Sequence, residues 1–310
     1  MVDDTKKKYR ALNNWAFTRL GINTFWQYST GKSVKIAVID SGIPDHIDLI
    51  VNKRLSRNFV PNESGNDNYD HATSVVGLLN SQTNFHDMEG ICPDAEIICL
   101  KVLDNEGGGD EYHIKKALEY CLELKPDIIN LSFGTEDRLG DDFEILLRRL
   151  RDNGSFIVCA SGNKNQSVMD YPARSEYTIA IGAVDPANLR TDFSSYGDGI
   201  DFVCPGVNLY TTCGTSRYCY VSGTSFSAPI FSGLLALYLG FLKKTNSEYT
   251  YQTVISELKR CSIDLGNPGG DVMYGWGSVD LQCLFQTVYE KNKSLPWYQK
   301  FWNFVKASHR

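Results

Sequence analysis

Six apolar runs rich in β-branched residues are spaced along the chain, at residues 33–40 (SVKIAVID), 95–102, 127–133 (DIINLSF), 155–162 (SFIVCASG), 177–184 and 200–204. Their hydrophobicity is nearly continuous, not alternating, which marks strands buried on both faces. Between them lie stretches of helical character: 71–80 (HATSVVGLLN), a helix reached through the Gly107, Gly108, Gly109 loop, and 142–152. Strand and helix alternating at this spacing predict an α/β fold, a doubly wound and largely parallel sheet with right-handed crossovers and helices on both faces. A last stretch, 220–239 (YVSGTSFSAPIFSGLLALYL), runs from small turn residues into an apolar helix. Pro229 is expected in its first turn, where a missing N–H costs little, and Leu234, Leu235, Leu237 and Leu239 supply burial. No repeat or linker divides the chain, so the expected organisation is a short extension (1–14), one domain (15–285) and an aromatic tail (286–310).

The ends of these elements carry the candidate chemistry. Open α/β sheets place ligands at the carboxyl ends of their strands, and Asp40 ends the first strand while Asn163 follows the fourth. His71 stands at a helix start after the polar loop PNESGNDNYDH, and Ser225 at the junction of turn and apolar helix. Singly, each has an ordinary structural explanation: a turn aspartate, a solvated histidine, a turn asparagine, a serine N-cap. Together they are the four groups acyl transfer needs. Ser225 is a weak nucleophile until His71 takes its proton, Asp40 holds the tautomer of His71, and Asn163 joins the Ser225 N–H in stabilising an oxyanion. His46, His86, His113 and His309 lack comparable neighbours. The triple glycine lacks the spacing of a phosphate-binding loop.

Composition narrows the partners. The 310 residues are 42% hydrophobic, enough for a substantial core, and the net charge of -6 excludes a general nucleic-acid surface. No segment reads as a membrane span or a signal sequence. The nine cysteines show neither regular nor zinc-ligand spacing, so they read as free thiols in a reducing compartment, with Cys213 and Cys219 near enough in sequence to pair if oxidised. The expectation from these features is a cytoplasmic protein.

The chain resembles the subtilisin-like serine proteases over residues 15–282. Val38 to Ile43 (VIDSGI) is similar to the family's aspartate motif, HATSVVGLL to its histidine motif, SGN at 161–163 to its oxyanion motif and GTSFSAP at 223–229 to its serine motif. INLSFG, YPA, IAIGAVD, FSSYG, CPGV and YGWGSVD follow in the family's order. Ala72, Ser74 and Phe226 depart from the usual glycine, histidine and methionine without removing a catalytic group. The resemblance implies a three-layer fold and a serine endopeptidase with Asp40, His71 and Ser225 as triad and Asn163 in the oxyanion hole, needing no cofactor for chemistry. A catalytically silent fold used for binding is the other class, disfavoured because all four groups are present.

Further expectations come from the same resemblance. Ser132, Phe133 and Gly134 with Ser161 and Gly162 would wall the primary specificity pocket, with Asp170 at its floor favouring a basic P1 residue and Lys164 at the rim as a competing charge. Asp48 matches an aspartate that binds a structural calcium in many subtilases, with Asp87 and Glu89 as further candidate ligands. The short leader before Trp15 suggests an intracellular enzyme, either a general degradative protease or one removing leaders from modified peptide precursors. The tail carries Trp297, Tyr298, Phe301, Trp302 and Phe304 beside Lys300, Lys306 and Arg310, a candidate amphipathic helix for packing on the domain or for contact with a membrane surface or partner.

Overall fold

The computed structural model describes residues 14–82 and 88–291. In chain order the elements are α1 (Trp15–Arg19), α2 (Ile22–Phe25), β1 (Lys35–Asp40), β2 (Arg57–Asn58), α3 (His71–Asn80), β3 (Glu96–Lys101), α4 (Glu111–Leu124), β4 (Ile128–Leu131), α5 (Asp141–Asp152), β5 (Phe156–Ala160), β6 (Ile179–Val184) and β7 (Ile200–Pro205). Then come the hairpin strands β8 (Leu209–Cys213) and β9 (Arg217–Val221), α6 (Thr224–Lys244), α7 (Tyr251–Arg260), the short strands β10 (Ser262–Ile263) and β11 (Ser278–Val279), and α8 (Leu281–Lys291). Seven strands form one parallel sheet in the order β2-β3-β1-β4-β5-β6-β7. The chain therefore winds outward in both directions from β1, and the carboxyl ends of β1, β4 and β5 open on one edge.

Successive strand residues face opposite sides, and this alternation builds two cores. Ile36, Val38, Phe156, Val158 and Ile181 pack against α3, α6 and α8. Ala37, Ile39, Ile129, Leu131 and Ile157 face α4 and α5. Helices on both sides of the sheet make the expected three-layer subtilisin-like arrangement. α5 carries acids in its first turn and Arg149 and Arg151 in its last, each matched to the sign of the helix dipole there.

Several expectations change. Pro229 is the sixth residue of α6, not a first-turn residue, so it has no N–H to offer the carbonyl of Ser225. α6 is long and apolar enough to cross a membrane by length and composition, contrary to the sequence reading, yet 94% of its apolar window is buried in the protein. Its apolarity is that of a helix surrounded by core on every side. α8 runs through the domain boundary expected at 285, with Val288 and Tyr289 in the core. Cys261 and Cys283 form a disulfide joining the end of α7 to α8, which corrects the all-thiol reading, while Cys213 and Cys219 are free. The extension up to residue 13 and the tail from residue 292 lie outside the described residues, as does Asp87.

Candidate active site

Asp40 ends β1 with its side chain fully buried. Its Oδ1 accepts the Ser41 N–H at 2.7 Å and meets His71 Nδ1 at 2.8 Å. His71 is the first residue of α3, with 19% of its side chain exposed. Burial, the largest single influence on the imidazole, pushes its pKa down, but the charge and hydrogen bond of Asp40 and the charge of Asp67 outweigh it and hold the pKa above the ordinary value. Nδ1–H toward a carboxylate leaves Nε2 as the nitrogen that can take a proton.

The residues that depart from the usual motif are accommodated locally. Ser74 donates its hydroxyl to the Thr212 carbonyl at 3.0 Å, while its own carbonyl accepts the Thr211 hydroxyl at 2.7 Å, so α3 is bolted to the β8 strand. Ala72 is fully buried. The Phe226 ring packs against His71 with centroids 5.4 Å apart.

Ser225 is the second residue of α6, where backbone N–H groups lack intrahelical partners, and it is half-buried. Its neighbour Thr224 fixes Asn163: the Thr224 N–H and hydroxyl both donate to Asn163 Oδ1, at 2.9 and 3.0 Å. With the oxygen end claimed, Nδ2 is the free donor end of an exposed amide beside Gly223. Thr224 Oγ1 also accepts the Gly162 N–H at 3.2 Å, which ties the segment after β5 to the start of α6. Thr224 was not singled out in the sequence; its place beside the serine was the available signal.

Asp170 lies between the segments 132–134 and 161–163. A Cβ on Gly134 would stand 2.6 Å from Asp170 Cβ, and one on Gly162 would stand 2.7 Å from its Oδ2, so both walls approach the carboxyl as only glycine permits. Ser132 and Ser161 are buried behind them: Ser132 Oγ accepts from Asn130 Nδ2 at 2.8 Å and Ser161 donates to the Ser195 carbonyl at 2.9 Å, while Phe133 is half-buried. Asp170 is 8% exposed, and none of the described residues gives its carboxylate a hydrogen bond or ion pair. Lys164 pairs with Glu136 instead. Burial raises the Asp170 pKa, Glu136 adds to the rise, and Lys164 and Arg174 oppose it.

Asp48 is fully buried, and its Oδ2 accepts the Tyr218 hydroxyl. Its Oδ1 is buried without a hydrogen-bond partner among the described residues, and among them no cluster of three or more His, Cys, Asp or Glu is suited to a metal. Calcium takes 6–8 oxygen ligands, and beside that one oxygen the described residues supply no cluster of carboxylates for it; Asp87 lies outside them.

The subtilase family model matches residues 31–277. M-protease of Shouchella clausii (strain KSM-K16) is 35% identical over 255 residues, covering 82% of this chain and 64% of that protein. Minor extracellular protease Epr of Bacillus subtilis (strain 168) is 32% identical over 274 residues, 87% of this chain and 41% of Epr. Subtilisin BL of Lederbergia lenta is 35% identical over 255 residues, with 82% and 91% covered. The chain thus spans under two thirds of M-protease and under half of Epr. A relative named as extracellular, together with a disulfide of the kind that persists in oxidising compartments, overturns the cytoplasmic expectation. By its motifs in order, its sheet topology and these matches, the chain belongs to the subtilase family of subtilisin-like serine proteases.

Proposed function

We propose that this chain is a serine endopeptidase acting on peptide or protein substrates through Asp40, His71 and Ser225. The observation that carries the reading is the 2.8 Å contact of His71 Nδ1 with the buried Asp40, on a helix start beside the N-terminus of α6. Ser225 Oγ attacks the scissile carbonyl carbon as His71 Nε2 takes its proton, and Asp40 stabilises the imidazolium. The oxyanion receives Asn163 Nδ2–H and the Ser225 N–H. His71 then protonates the leaving amine, and water, deprotonated by the same imidazole, hydrolyses the acyl-enzyme.

Asp170 supports a preference for arginine or lysine at P1, because a substrate cation would supply the partner that its carboxylate lacks. A pocket selective for one basic side chain suits limited processing, such as removal of a leader from a precursor peptide, better than general degradation. A fluorophosphonate probe should label Ser225, and Ser225→Ala should lose both labelling and peptide cleavage. Cleavage retained in Ser225→Ala would refute the assignment.

A further inference from the structure

The carboxylate of Asp67, in the loop before α3, takes four hydrogen bonds. Oδ1 accepts the Ser41 hydroxyl at 2.7 Å and the Asp70 N–H at 3.0 Å, and Oδ2 accepts the Thr73 N–H and hydroxyl, both at 2.6 Å. The Ser41 hydroxyl in turn accepts the Ala72 N–H at 2.9 Å. Asp70, the N-cap residue of α3, makes no side-chain cap bond to its own helix; its Oδ1 accepts the Gly214 N–H at 2.9 Å. The N–H groups of Ala72 and Thr73, which a cap would ordinarily satisfy, are therefore met by Ser41 and Asp67.

The backbone closes the same arrangement. Ile43 N–H donates to the Gly65 carbonyl at 2.8 Å, and Asp67 N–H to the Ile43 carbonyl at 3.2 Å. Gly42 leaves room for this approach, since a Cβ there would stand 2.3 Å from Asp67 Cα. The turn that follows Asp40 and the helix turn that begins with His71 thus meet at one carboxylate.

We infer that Asp67 is a positioning residue for the Asp40–His71 pair, clamping the turn that carries one to the helix start that carries the other. The inference rests on the catalytic reading of that pair given above. Asp67 touches neither the Asp40 carboxylate nor the imidazole through any of its four bonds; it acts through Ser41 and the first turn of α3.

The charges around the imidazole define a second effect. β1 contributes Asp40, the loop contributes Asp67 and Asp70, and β9 contributes Arg217, whose guanidinium is 4.0 Å from Asp70. Lys101 of β3 lies behind Ser41, its ammonium 2.6 Å from the Ser41 carbonyl and 3.3 Å from Glu63. The Tyr69 and Phe226 rings complete the surroundings without charge. Asp67 joins Asp40 in favouring the imidazolium against burial.

The base must be neutral to accept the serine proton, so removing a nearby negative charge lowers the His71 pKa and moves the acid limb of the pH profile to lower pH. Asp67→Asn is expected to lower kcat about 10- to 100-fold with KM little changed, and to shift the acid limb of kcat/KM downward. A kcat and an acid limb both equal to the parent's would overturn the inference. Ser41→Ala keeps the charge and removes the bridging hydroxyl, so it is expected to lower kcat with the acid limb in place; an unchanged kcat there overturns the clamp even if Asp67→Asn does not fold. Cleavage surviving in Ser225→Ala would strike at the reading of the whole site instead, whatever the Asp67 variants do.

Discussion

At Asp170, a single residue, burial opposes ionisation while no described side chain pairs with the charge that ionisation creates. A substrate guanidinium entering between Gly134 and Gly162 would favour the ionised form, and a charge-assisted hydrogen bond of about 1.5–3 kcal/mol corresponds to roughly 10- to 100-fold in rate. Peptides differing only at P1 are therefore expected to be cleaved about 10- to 100-fold faster with Arg than with Leu, and Asp170→Asn should abolish the difference. Equal rates for the parent protein would remove the pocket assignment. Because the Asp170 pKa is raised, the preference for Arg should weaken as pH falls toward that pKa, while cleavage after Leu follows the His71 limb alone. Asp40, His71, Asn163 and Ser225 could be picked out in the sequence as candidates because each sits at an element end with specific neighbours. Asp67 was not: an aspartate within PNESGNDNYDH looks solvated until the loop folds back on Gly42.

Among the elements, α6 combines two requirements. Its first turn holds Ser225 and the Thr224 anchor of Asn163, and the remainder is core, with Leu234, Leu235 and Leu237 buried against the sheet. Leu235 is 0% exposed, so Leu235→Ala is expected to cost about 2–5 kcal/mol by loss of transfer energy and by the cavity it leaves. Denaturant unfolding should show a lower midpoint with an unchanged slope, while fluorophosphonate labelling persists below that midpoint. Lost labelling in a folded variant would mean that the helix body, and not its first turn alone, sets the serine. The continuous apolar runs of the strands were legible almost to their ends, since burial on both faces imposes them. The membrane-length apolarity of α6 was not distinguishable in sequence from core apolarity, because a helix surrounded by protein needs the same side chains as one surrounded by lipid.

For the molecule as a whole, the disulfide Cys261–Cys283 closes a sequence separation of 22 residues and joins the end of α7 to α8. Loop-closure entropy for that length is worth about 3 kcal/mol. Thiol titration of the denatured, unreduced protein should find the seven free cysteines and not all nine. Mild reduction should lower the unfolding midpoint while leaving cleavage at 25 °C unchanged. Nine titratable thiols would return the chain to the reduced state its cysteine spacing first suggested.

The sequence by itself determined the α/β class and the order of six of the seven sheet strands, and it offered four candidate groups at element ends, because burial and turn chemistry are local. Tertiary structure alone decided which end of the Asn163 amide is claimed, that Lys164 turns to Glu136 and leaves Asp170 unpartnered, that Cys261 finds Cys283, and that Asp67 joins the Asp40 turn to the His71 helix. Each of these depends on hydrogen-bond or charge partners from separate segments of the chain. Their partnership is set by the packing of parallel strands and crossovers, which no pattern along the chain encodes locally.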